Sequence, residues 1–171
     1  MDKKQLKTLM PLNKADVEQA KKLAALDYAS VKPVIPEMLR WLRTYRVPED
    51  PTSGDSLVAD VFIEFFISNA AAAAEEVEKV LNTSSRQSHL KYVIVTRVLP
   101  QWPRFAVELV KDPLVMLVMD SSFPETALMA LQLLAKHNLS DKKGLKTCLD
   151  FIAGRMERNL REAHQVANTY F

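Results

Sequence analysis

The chain has 171 residues and a mass of 19.4 kDa, which is enough for one domain with its own hydrophobic core. Hydrophobic residues make up 48% and charged residues 26%, values that exclude disordered, collagen-like and membrane-embedded proteins. The net charge of +2 gives no overall attraction to nucleic acid or lipid, and three glycines are too few for a β-sandwich or a glycine-rich nucleotide fold.

The first predicted helix covers residues 14–25 and follows an N-terminal segment of residues 1–12. Asn13 and Asp16 give it a cap-like start. Its apolar residues recur at helical spacing, and they are Val17, Ala20, Leu23 and Ala24.

A second helix is predicted over residues 31–43, and its first turns contain two prolines. Pro33 and Pro36 require either that these turns are distorted or that the regular helix starts near Pro36. Residues 45–55 contain further prolines and a glycine, which predicts a long loop.

The third helix is predicted to begin at a cap formed by Asp55 or Ser56. Its broad apolar face consists of Leu57, Val58, Val61, Phe62, Phe65 and Phe66. Asn69 is expected to end this helix and to cap an alanine-rich fourth helix, which runs to Leu81. Such a short connection is typical of antiparallel neighbours.

A fifth helix is predicted from the capping-box pattern of Ser84 and Gln87 to its end at Pro100. Pro103 suits the first turn of a sixth helix. The apolar run 114–119 could form a buried strand, but no second strand pattern exists to pair with it. We therefore expect this run to be a buried helix.

The last two helices are predicted on either side of Asn138, which suits a left-handed helix end. The seventh helix opens at Ser122 or Phe123, before Pro124. The longest helix begins at Ser140 and contains Gly144 and Gly154, which weaken it and allow a bend.

These windows predict an all-α fold of about eight helices in one domain over residues 1–171. Grouped in antiparallel pairs, the helices start near residues 13, 55, 84 and 122, a spacing of about 30 to 40 residues. Such spacing favours a HEAT-like α-solenoid, in which each pair stacks on the next.

Three stretches of the first half resemble a family of small bacterial proteins of unknown function with HEAT-like helical pairs. They are Leu9–Asp16, Val31–Leu42, and Val80–Thr83 followed by Leu90–Tyr92. The resemblance implies a HEAT-like fold and a bacterial cytoplasmic setting. It supplies no catalytic residues.

The sequence contains no motif for a catalytic or cofactor-binding site. A phosphate-cradling glycine loop, a serine nucleophile elbow and a paired-cysteine metal site are all missing. His89, His137 and His164 are too far apart in sequence to form a metal motif, and Cys148 lies on an apolar helix stripe as a structural thiol would. We expect no catalytic residue, metal or cofactor, and we expect a protein that is not an enzyme.

Asp60 and Glu64 leave one catalytic alternative open. They lie four residues apart on one predicted helix face, so they could bind a hard cation in a metal-dependent hydrolase. A solvated outer face is the more ordinary explanation.

Clustered basic and aromatic residues are the main candidates for binding. The candidate surface for a protein partner consists of Arg40, Trp41, Arg43, Tyr45 and Trp102. A phosphate-binding alternative uses two arginine rows, Arg40 with Arg43 and Arg155 with Arg158 and Arg161. Acidic residues between the arginines of the second row make nucleic acid the less favoured partner.

The hypothesis from sequence is therefore a non-enzymatic helical-repeat module that binds an unidentified protein. One cysteine cannot form a disulfide within the chain, and neither a secretory signal nor a membrane segment is found, so a cytoplasmic location is expected. The oligomeric state cannot be derived from these patterns.

Overall fold

A computed structural model describes residues 3–14, 16–46, 57–83, 88–120 and 124–170 of the protein. For Leu57, Asp120, Lys142 and residues 159–170 it describes the backbone alone. Within this part of the chain the secondary structure is helical and contains no strand, which confirms the predicted all-α class.

The N-terminal segment contains a short helix that the sequence did not predict, α1 (Lys3–Thr8). The next helix, α2, covers Val17–Ala24 and is shorter than predicted. The Asp16 carboxylate accepts hydrogen bonds from the backbone N–H groups of Leu12 and Asn13, at 2.7 and 3.0 Å. Asp16 therefore fixes the turn before α2 and makes no side-chain bond to α2 itself.

The two prolines break the second predicted helix into three pieces. These are α3 (Tyr28–Val31), a 3₁₀ turn (Lys32–Val34) and α4 (Ile35–Leu42). Pro33 and Pro36 each lie in the first turn of a piece, where the missing N–H is tolerated. The expected distortion of the early turns is confirmed.

Asn69 separates α5 (Leu57–Ser68) from α6 (Ala70–Leu81). Its side-chain amide donates to the carbonyl of Phe65 at 2.9 Å, so it caps the end of α5 and makes no cap bond to α6. The predicted caps at Asp55, Ser56, Ser84 and Gln87, and the 45–55 loop beyond Arg46, lie outside the described residues.

A π-helix interrupts the fifth predicted helix. The chain runs through α7 (Ser88–Val93), the π-helix (Ile94–Val98) and a 3₁₀ turn (Leu99–Gln101). Pro100 lacks the N–H of a regular helix and its ring crowds the carbonyl four residues earlier, so the helix widens just before it. Residues seven apart share one face of a straight α-helix, so Arg97 would face the core as Leu90 does. The wider turn of the π-helix instead buries Val98 and exposes Arg97.

The C-terminal part contains α8 (Arg104–Glu108), α9 (Lys111–Asp120), α10 (Pro124–Lys136) and α11 (Lys142–Tyr170). The run 114–119 lies in α9, so the helix interpretation is confirmed. Ser122 and Phe123 lie outside the described residues, and Asp141 rather than Ser140 binds the first turn of α11, at Gly144 N–H.

Asn138 ends α10 in the left-handed conformation that the sequence predicted, with φ of 52°. Its N–H donates to the carbonyl of Ala135, and that of Leu139 donates to the carbonyl of Leu134. These two bonds form a Schellman motif, and Leu139 is buried beside it.

The core is one continuous cluster around α5, whose buried residues include Val58, Phe62 and Phe66. α5 packs mainly against α2 and α4, α6 packs against α8 and α9, and α10 lies between α9 and α11. None of the helices, as far as the chain is described, combines the length and hydropathy needed to cross a bilayer.

Candidate interaction groove

α4 places Trp41 apart from the two arginines predicted to act with it. Arg40 and Arg43 are exposed and lie about 60° apart around the helix axis. Trp41 lies about 160° from Arg43 and packs partly buried against the core. Both arginines are therefore surface cations, whereas Trp41 contributes in part to the core.

Tyr45 is a core residue, so its assignment to the binding surface is wrong. It is 2% exposed, and it follows α4, which packs against α5 and α7. The Arg97 guanidinium lies over the ring, 5.1 Å from its centroid, and His89 Nε2 lies 2.8 Å from the Tyr45 carbonyl oxygen. Burial raises the pKa of the Tyr45 hydroxyl, while nearby Arg97 lowers it.

Trp102 is also buried, and the prediction that it lines the surface is wrong. It is 2% exposed, and its indole N–H donates to the carbonyl of Phe66 at 3.0 Å. A buried indole needs such an acceptor. Trp102 therefore joins the turn before α8 to the end of α5.

The arginines of α11 contact their own helix. The Arg155 guanidinium lies over the Phe151 ring at 5.0 Å, and Arg158 Nε donates to the carbonyl of Gly154 at 3.2 Å. The side chain of Arg161 lies outside the described residues. The structure does not bring the α11 row and the α4 pair into one described site.

Asp60 and Glu64 lie on the outer face of α5, as the helical spacing predicted. Asp60 is partly buried and Glu64 is exposed. Burial raises the pKa of Asp60; Arg97 counteracts this effect and the Glu64 charge adds to it. Within the described chain, no three His, Cys, Asp or Glu side chains come together as a metal site.

The two carboxylates border a surface groove between α2 and α5 with a volume of about 550 Å³. Its remaining lining is mostly apolar or small, and consists of Val17, Lys21, Ala24, Ala25, Val61, Phe65, Ser68 and Asn69. The exposed residues Lys21, Ala25 and Ser68 show where the groove meets solvent. The groove thus combines an apolar floor with an acidic wall.

The basic residue of this groove is already paired. Lys21 Nζ lies 2.9 Å from a Glu18 carboxylate oxygen, one turn earlier on α2. Asp60 and Glu64, in contrast, make no hydrogen bond or ion pair with the residues that the structure describes. Within the described chain, the negative charge along α5 therefore has no direct ion-pair partner, although the charge of Arg97 acts on Asp60.

Sequence reasoning missed the groove and the contacts that His89 and Arg97 make with Tyr45. The groove is formed by helices about 40 residues apart, and no local pattern shows which helices will pack. The sequence contains one indication of the exposed position of Arg97. A charged residue seven positions after Leu90, and shortly before Pro100, suggests that the helical phase changes there.

The remaining candidates that the structure describes do not line the groove. Cys148 is partly buried against the core, as expected for a structural thiol. His137 follows α10, and burial lowers its pKa, with the charges of Lys136 and Arg104 acting in the same direction. The His164 side chain lies outside the described residues.

The chain is similar to a known protein family. A family model described as a domain of unknown function (DUF5071) matches residues 9–139, well beyond the first half of the chain. No curated protein matches the chain. No solved structure matches it.

Proposed function

The chain belongs to the family described as a domain of unknown function, DUF5071, and we propose that it is a non-enzymatic module that binds another protein through the groove between α2 and α5. The observation that supports this most is the largely apolar, solvent-facing groove, whose lining includes Asp60 and Glu64 without an ion-pair partner among the described residues. Apolar grooves between packed helices are common docking sites for segments of other proteins.

The remaining features of the proposal have separate support. Stacking of α9, α10 and α11 supports a HEAT-like solenoid of helix pairs. The sequence resemblance given above supports a bacterial source, and the single unpaired Cys148 supports a reducing, cytoplasmic compartment.

Site-specific photo-crosslinking in cells tests the proposal. A photoreactive amino acid replaces Ala25, which is exposed at the groove, in an otherwise unchanged chain. We expect irradiation to give a crosslinked species of discrete mass that contains a second protein. The matched control carries the same amino acid at Ala72, which is exposed on α6.

A third position, Arg43, tests the α4 surface in the same way. A crosslink from Ala25 alone supports the groove as the binding site. A crosslink from Arg43 but not from Ala25 would move the site to α4, and equal products from all three positions would contradict a specific site.

A further inference from the structure

The groove lining indicates the shape of its occupant. Three of its lining residues have short side chains, and they lie where α2 and α5 end: Ala24, Ala25 and Ser68. Short side chains allow the backbone of an added helix to approach closely. α5 has 12 residues and is about 18 Å long, which matches a partner helix of about three turns.

The charges of the groove indicate the chemistry of that helix. Asp60 and Glu64 are separated by one helical turn, a rise of about 6 Å, so one guanidinium or ammonium group can reach both carboxylates. Of the neighbouring cations, Lys21 pairs with Glu18. Arg97 lies over the Tyr45 ring, and its charge favours the ionised form of Asp60 although the two side chains form no direct ion pair. A cation of the partner would compensate charge that the described chain leaves unpaired.

We propose that the groove binds an amphipathic helix of a partner protein whose apolar face carries a lysine or arginine, and that Asp60 and Glu64 bind this cation. The apolar residues of the helix contact Val17, Val61 and Phe65. This inference rests on the proposed function and adds the chemical class of the partner.

Selection from a phage-displayed library of random peptides tests the inference on the full chain. Peptides of roughly 16 residues are long enough for about four helical turns. We expect the enriched peptides to have helical apolar spacing with at least one lysine or arginine next to the apolar face. Binding of the best synthetic peptide is then measured by fluorescence anisotropy.

The double variant Asp60→Asn with Glu64→Gln removes both charges and keeps the shape of the side chains. We expect it to bind the peptide about tenfold more weakly than the original chain, with a smaller salt dependence. The matched control is Glu108→Gln, an exposed carboxylate of α8 outside the groove, which should leave binding unchanged. Circular dichroism of each variant confirms that it is folded.

Any one of four results would overturn the inference. Enriched peptides without basic residues, or equal affinity for the double variant, would show that the carboxylates do not select the partner. Tight binding of spermine alone would show that the site takes a small cation. A dimer that the double variant dissociates would show that a second copy fills the groove.

These results are distinguishable from failure of the proposed function. If the Ala25 crosslink forms but the selected peptides lack cations, the protein-binding role remains and the partner chemistry is wrong. If neither experiment gives a product, the groove is not a protein-binding site.

Discussion

At the scale of single residues, the buried polar groups carry the most direct consequences. Trp102 fills core volume and donates a hydrogen bond to the Phe66 carbonyl. We expect Trp102→Ala to lower the free energy of unfolding by about 3–5 kcal/mol and Trp102→Phe by about 1–2 kcal/mol. Urea unfolding measures both values. The control Leu12→Ala, at a side chain that is 86% exposed, should change little.

Tyr28 shows the opposite situation, a buried hydroxyl without a partner. Its ring stacks on Phe65 with centroids 6.0 Å apart, but its oxygen has no hydrogen bond within the described chain. Burial, followed by the charges of Glu76 and Glu75, raises the pKa of Tyr28 from 10.0 to about 12. Because the folded pKa lies above the unfolded value, the folded state holds the proton more tightly, and stability is lost as the pH rises from 10 to about 12.

We therefore expect Tyr28→Phe to keep the ring stacking and to raise the free energy of unfolding by about 1 kcal/mol at neutral pH. Its advantage over the original chain should grow between pH 10 and 12. Thermal unfolding across this pH range measures the difference. An advantage that shrinks in this range would show that the hydroxyl has a partner after all.

Two of the residues predicted from sequence to line the binding surface are core residues, Trp102 and Tyr45. Trp102 and Tyr45 combine an apolar ring with a polar group, and this combination suits both a binding surface and a core position. Composition cannot distinguish the two, because the acceptor of Trp102 is 36 residues away on α5. Only the packing of distant helices decides the outcome.

At the scale of elements, α11 offers a matched pair of glycines. A Cβ at Gly154 would meet no atom within 4 Å, whereas one at Gly144 would lie 2.8 Å from Ser140 Oγ and 3.0 Å from Asp141 Oδ1. We expect Gly154→Ala to stabilise the fold by about 0.5–1 kcal/mol, because alanine favours helices. Gly144→Ala should gain less or destabilise, because it disturbs the Asp141 cap. Thermal unfolding ranks the two variants, and the reverse order would contradict the cap geometry.

Local sequence patterns predicted most of the elements. Prolines correctly marked the broken helix at Pro33 and Pro36, and Asn138 correctly marked a left-handed helix end. The short α1 was missed because six mostly polar residues carry little periodic signal; its single buried residue is Leu6. Leu6 packs into the core that other helices form, and a pattern within six residues does not show this contact.

At the scale of the whole molecule, the folded body extends beyond the region matched by the family. The match ends at residue 139, but Ile152 of α11 is 2% exposed, and Leu145 and Cys148 pack against the same core. We expect a chain of residues 1–139 to unfold at a lower temperature than the full chain, because the loss of α11 uncovers α9 and α10. Differential scanning calorimetry measures the change. Equal unfolding temperatures would show that α11 is an independent addition.

The sequence did not predict which distant helices pack against each other. Helical periodicity predicts which face of α5 is buried, but it does not show that α2 covers one side of that face. The groove depends on this choice of neighbour. Asp60 and Glu64 were thus identified by spacing, while the apolar floor beside them appeared only with the fold.

The π-helix at Ile94–Val98 makes this part of the chain tolerant of a change in length. Its extra residue means that deletion of Thr96 can restore a regular α-helix while Leu90 and Val98 keep their inward directions. α5 is an α-helix without an extra residue, so deletion of Ile63 turns every later side chain of that helix by about 100°. We therefore expect the chain without Thr96 to fold and the chain without Ile63 to remain unfolded. Circular dichroism measures the helix content of both variants.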